Sequence, residues 1–181
     1  MVPIEVLWIV LIILFGFIGM ARGYPRELGV TTMSLIALLA LNLLEPRLQR
    51  LETALESILR VNILSRPDIN AINALIFSAV LLLITFAAYA GQTFYFPGSP
   101  KKGRVGSLIS FTNGLVNGYL IVGSLWHYLD KFSYGVGAWT LVTLPLTPRA
   151  QSLLPYLPPA ILDFPFLAGL VIVLMILRIR R

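Results

Sequence analysis

Apolar positions fall into five long runs along this chain, and polar positions are gathered into the breaks between them. Runs of this length with so little charge predict membrane-spanning helices, since a helix satisfies its own backbone hydrogen bonds in lipid. The first run, Val2–Ala21, holds Glu5 alone among ionisable side chains. Lacking the positively charged start of a signal sequence, it reads as an uncleaved first span. Leu28–Leu44 is the second, and its seventeen residues reach about 26 Å as a helix, short of the roughly 30 Å of hydrocarbon. Ile69–Phe96, Gly103–Tyr128 and Ala160–Leu177 follow as the third, fourth and fifth.

The breaks differ in kind. Ala21–Gly29 (ARGYPRELG) carries Arg22, Arg26 and Glu27 around Gly23 and Pro25, which predicts a tight turn between two spans. In Glu45–Asn70 the period changes: Leu48, Leu51, Leu55, Ile58 and Leu59 recur at helical spacing, with Arg47, Arg50, Glu52, Glu56 and Arg60 opposite. That pattern predicts an amphipathic helix, lying on the membrane or a partner, or covering its own bundle as an ordinary connector. Asp130–Pro159 contains Pro145, Pro148, Pro155, Pro158 and Pro159 among Phe132, Tyr134, Trp139, Leu153, Leu154 and Tyr156. So apolar a loop belongs in the headgroup layer or under another protein. The expected architecture is an all-α, polytopic membrane bundle of about five transmembrane helices plus one amphipathic interfacial helix. It divides into residues 1–129, 130–159 and 160–181.

The fourth run adds a finer pattern. Gly106, Ser110, Gly114 and Gly118 recur every fourth residue, a helical stripe of small side chains that lets a neighbouring backbone approach closely in lipid. Asn113 and Asn117 stand beside the stripe, two amides that lipid cannot satisfy. The third run offers its own small and polar face, including Ser78, Thr85 and Gln92. The two faces are expected to pack along Ser78 and Thr85. Gly16, Gly19 and Gly23 thin the end of the first run into another such face.

Composition narrows the chemistry. Hydrophobic residues make up 57% and charged residues 12%, about half the charge of an average soluble domain. Lys and Arg number 14 against 8 acids. That excess belongs to membrane flanks, where bases set orientation and meet anionic headgroups, and no motif directs it to nucleic acid. Arg22, Arg26, Lys101, Lys102, Arg104, Arg178, Arg180 and Arg181 all fall on one side of a five-span chain. The positive-inside rule then places the N-terminus outside and the C-terminus in the cytoplasm. With no cysteine and one histidine, thiolate chemistry and multi-histidine metal sites are excluded. No nucleophile–base pair, phosphate loop or carboxylate cluster is present, so neither an enzyme nor a resident cofactor is expected. His127, beside Trp126, reads as a headgroup-level hydrogen bonder, with axial ligation of a tetrapyrrole as its functional alternative. Asp163 could act as a proton-relay carboxylate or sit solvated near the loop.

Gly19, Arg22, Gly23, Arg26 and Glu27, set between two apolar spans, resemble the G-x-x-R-G-x-x-R-E hairpin of the colicin V production protein (CvpA) family. Arg104 followed by Gly106, Gly114 and Gly118 resembles that family's arginine before a glycine-striped helix. The order of elements agrees over roughly residues 1–130. Gly103 stands where an aspartate is common, Ser110 replaces a stripe glycine, and Asn117 stands where a base is common. The resemblance implies a bacterial inner-membrane protein linked to toxin secretion and envelope upkeep, with a four-span core over residues 1–129.

Two function classes follow. The first is a non-enzymatic inner-membrane scaffold that binds the lipid bilayer and other membrane subunits, as an accessory part of a photosynthetic or respiratory complex. The second is a small transporter or channel component, for which Asn113, Asn117, Thr85 and Gln92 are the available polar set.

Overall fold

The computed structural model describes residues 3–59, 67–91, 96, 103–135 and 146–179. Every regular element among them is helical. The long helices are α1 (Ile4–Arg22), α2 (Tyr24–Leu59), α3 (Pro67–Ala90) and α4 (Arg104–Lys131). Short pieces α5 (Pro148–Leu153) and α6 (Pro158–Ile161) lead into α7 (Phe164–Ile179). The chain is an all-α bundle, and helices α1 to α4 are each long and apolar enough to cross a membrane.

Helix α4 is the post around which the others stand. It packs most extensively on α1, then on α2 and α3, whereas α1 and α2 barely touch each other. Leu35, Leu38 and Leu41 of α2 meet Phe77 and Leu81 of α3 and Leu120 and Tyr128 of α4 in the main core, with Leu167 of α7 closing it. A second cluster joins Trp8 of α1 to Trp126, Tyr134, Ala150 and Leu157. There Trp126 Nε1 donates to the Tyr134 hydroxyl, which donates to Asp130, both at 3.0 Å. Burial first, and the Asp130 carboxylate beside it, push the Tyr134 phenol above its ordinary range.

Several expectations need correction. The second span and the amphipathic segment are one helix: α2 runs 36 residues with Pro46 inside it. Proline removes one helical hydrogen bond without forbidding continuation, and the flanking leucines keep their helical register on both sides. At 1.5 Å per residue α2 extends about 54 Å, well over the roughly 30 Å of a bilayer's hydrocarbon. The fifth run breaks at Leu162 and Asp163, leaving α7 with 16 residues, about 24 Å long. Asp163 is an exposed N-cap, accepting from Phe166 N at 3.2 Å. The boundary at 129 falls inside α4 and that at 160 inside α6.

The proline-rich stretch is anchored to its own chain at several points where it is described. Pro158 lies on Gly123 of α4, the Tyr119 hydroxyl donates to the Tyr156 carbonyl, and Ala150 and Leu157 are buried. Thr147 caps α5 and donates to Glu5 of α1 at 2.6 Å. Tyr156, at 66%, stays exposed beside them. Trp139, Gln92, Phe94, Tyr95, Lys101, Lys102, Arg180 and Arg181 lie outside the described residues.

Candidate functional site

The site begins with two glycine faces pressed together. A Cβ on Gly114 would run into the Phe15 carbonyl, and one on Gly19 into the Ser110 carbonyl. A Cβ on Gly118 would stand 2.8 Å from that of Phe15. The stripe Gly106, Ser110, Gly114 and Gly118 therefore serves α1, through Gly16 and Gly19, and not the Ser78/Thr85 face of α3. Backbone approach of this kind is what small residues contribute in lipid, where hydrophobicity does not separate helix from solvent.

That contact delivers the end of α1 to the flank of α4. Gly23 alone links α1 to α2, with φ 85° and ψ 149°, a conformation glycine adopts without a side-chain clash. The turn leaves the first amide of α2 without a helical acceptor. Ser110 Oγ takes it, accepting from Tyr24 N at 3.0 Å while donating to Gly106 O at 2.8 Å. The stripe's one hydroxyl thus caps the next helix.

One turn into α2 lies Glu27, fully buried. Its Oε1 accepts from Arg22 Nε at 2.9 Å. Its Oε2 accepts from Asn117 Nδ2 at 2.8 Å and from the Tyr89 hydroxyl at 3.3 Å. Asn117 also donates to the Glu27 carbonyl at 3.0 Å, and Thr31 donates to Asn117 Oδ1 at 2.7 Å. Arg22 reaches further, donating to the Tyr89 carbonyl near the end of α3 at 2.9 Å, with its guanidinium 4.6 Å from the Tyr89 ring centre. One carboxylate therefore draws side chains from all four long helices into a knot. The first turn of α2 is also where a helix dipole favours negative charge.

The knot can hold but has little to offer a substrate. Both Glu27 oxygens are engaged and its charge is matched by Arg22. Among the described residues no group of three or more His, Asp or Glu could hold a metal ion. Next to the knot an apolar groove of about 740 Å³ opens between α1, α3 and α4, walled by Phe15, Ile18, Leu82 and Phe86. Thr85 faces it with a buried hydroxyl that has no partner among the described residues, as Ser78 Oγ also has none.

The expected site residues separate accordingly. Gly19, Arg22, Gly23 and Glu27 come together with Ser110, Gly114 and Asn117, while Arg26 and Arg104 are exposed at the same end. His127 stands half-buried, edge-on to Tyr128 with ring centres 5.4 Å apart, and lines neither this groove nor the knot. Tyr89 and Thr31 were not singled out by sequence. Tyr89 follows an apolar run like any boundary tyrosine, and Thr31 one turn after Glu27 is the only hint at a partnered face. No family model, curated protein or solved structure matches this chain.

Proposed function

We propose that this chain is a non-enzymatic scaffold of a bacterial inner membrane, as its resemblance to the CvpA family implies, and that it binds other membrane proteins as an accessory subunit of a photosynthetic or respiratory complex. The observation that carries this reading is the projecting end of α2. Leu51, Leu55 and Ile58 are exposed there at 61%, 47% and 74%, at spacings that put them on one helical face. A helix of about 54 Å carries that stripe past the hydrocarbon, where water penalises it and a protein surface would cover it. The orientation that fits is N-terminus outside, which puts the Gly23 turn, Arg26 and Arg104 in the cytoplasm and the end of α2 outside.

Purification in mild detergent tests this. The wild-type chain should travel with defined membrane proteins, and a Leu51→Ser/Leu55→Ser/Ile58→Ser variant should lose them while keeping its helix content. A wild-type chain that runs as a monodisperse free monomer would sink the reading.

The buried Glu27–Asn117 pair favours a second reading, a small transporter or channel component in secretion or envelope upkeep. Ionisable groups inside a membrane bundle often mark ion or proton paths. Liposome flux by the wild-type chain that is abolished in Asn117→Leu would turn the choice to this reading.

A further inference from the structure

At the end of the bundle opposite the Gly23 turn, a cavity of about 420 Å³ opens between α2, α3 and α4. Its deepest polar groups are Glu52 and Asn73, 6% and 7% exposed. Asn73 Nδ2 donates to Glu52 Oε1 at 2.9 Å. That bond orients the amide, leaving Asn73 Oδ1 buried in the cavity wall with no partner among the described residues. A buried carboxylate and a buried carbonyl oxygen thus line one space with acceptor capacity to spare.

Among the described residues, charge at this space is unbalanced. A carboxylate so far from water calls for a positive partner, as Glu27 has in Arg22. Among the described residues Glu52 has an amide alone. Lys131 lines the same cavity, but its ammonium is paired with Glu45. Thr53, also on the lining, gives its hydroxyl proton to the Gln49 carbonyl at 2.9 Å, which leaves the oxygen free to accept. Phe77 and Phe132, with ring centres 5.2 Å apart, complete the apolar part of the wall, and aromatic rings attract cations.

We infer that this cavity binds a primary ammonium group, held by Glu52 and Asn73 Oδ1 against the Phe77–Phe132 wall. The space is far larger than a bare ion needs and falls within the range of small organic ligands. Its acceptors want N–H donors, so a primary amine satisfies them and a quaternary ammonium does not. The Glu45–Lys131 pair beside the cavity suits the charged level of lipid headgroups. Two sources carry the same chemistry: the ethanolamine headgroup of an aminophospholipid, and a free aliphatic diamine.

The full chain in detergent, titrated with phosphatidylethanolamine or phosphatidylcholine and read by native mass spectrometry, tests the inference. Thermal unfolding with and without 1,4-diaminobutane supplies the second arm. Retention of phosphatidylethanolamine over phosphatidylcholine by about tenfold, the scale of a charge-assisted hydrogen bond, assigns the site to a lipid. Stabilisation by the diamine without a lipid preference assigns it to a soluble amine. In either case Glu52→Gln and Asn73→Leu should abolish the response and the exposed-site control Ile172→Ala on α7 should keep it. A wild-type chain that shows neither response overturns the inference, and so does a response that survives both substitutions. Stabilisation by calcium ions in place of amines overturns it as well. The ethanolamine–choline comparison on the wild-type chain stands even if a variant fails to fold.

Discussion

Helix α2 carries two buried glutamates 25 residues apart, about 38 Å along its axis, and they live in opposite circumstances. Glu27 sits where helices touch backbone to backbone, and Arg22, Asn117 and Tyr89 engage both of its oxygens. Glu52 sits where α2, α3 and α4 part around a cavity, with Asn73 as its one hydrogen-bond partner among the described residues. A carboxylate whose partners all come from its own chain holds helices together and is closed to ligands. One left with surplus acceptors has capacity for a donor from outside the chain. Burial alone does not separate the two; completeness of partnering does.

The sharpest way to break the contrast is at the glycine face. Gly114→Leu pushes a branched side chain into the backbone of α1 at Phe15, and the knot depends on that approach. The expected loss is about 3 kcal/mol, the upper part of the range for overpacking, measured by thermal unfolding in detergent. An unchanged midpoint would mean that α1 is not seated on α4 as described.

Next in size is Arg22→Leu, which leaves Glu27 buried without its cation. Breaking a fully buried pair costs about 3–5 kcal/mol. Arg22 is 26% exposed, so a loss of about 2–3 kcal/mol is expected. The double variant Arg22→Leu/Glu27→Leu should recover part of it, because an apolar pair removes the stranded charge. If the double variant is worse than the single, the remaining contacts of Glu27 outweigh the ion pair.

Smallest is Glu52→Gln. The amide can still accept from Asn73, and a poorly compensated charge disappears, so stability in amine-free detergent should stay within about 1 kcal/mol of wild type. A loss as large as that of Arg22→Leu would place Glu52 with Glu27 as a structural clasp and erase the distinction between the two ends.

Much of the architecture was legible in the order of residues, for reasons the helices make plain. Apolar length marked α1, α3 and α4, and Gly23 between Arg22 and Tyr24 marked the tight turn. The small-residue stripe was visible too, but its partner was not. Gly16 and Gly19 of α1 and Ser78 and Thr85 of α3 are equally small, and only the backbone path decides which face meets Gly114. Pro46 misled because proline at the start of a helix and proline tolerated inside one look alike in sequence. The knot was half visible: Arg22 and Glu27 stand together in the chain, whereas Asn117 lies 90 residues away and Tyr89 has no local signal. The cavity at Glu52 was hidden for the same reason, since Asn73 belongs to a different helix.

The single-residue link at Gly23 also bears on the order in which the protein can be made. Beyond the Arg22–Glu27 pair, helices α1 and α2 make little contact with each other, because α4 packs against both. Until the chain has been synthesised past residue 117, Glu27 lacks the amide that locks it and the glycines of α1 have no surface to meet. The newborn hairpin is therefore joined by one residue and one ion pair, with the rest of its two arms still unpacked. Assembly waits on a late segment that slides between arms already inserted. Any factor that escorts this chain into the membrane has to shield a buried-to-be carboxylate and an unmatched glycine face for that whole interval.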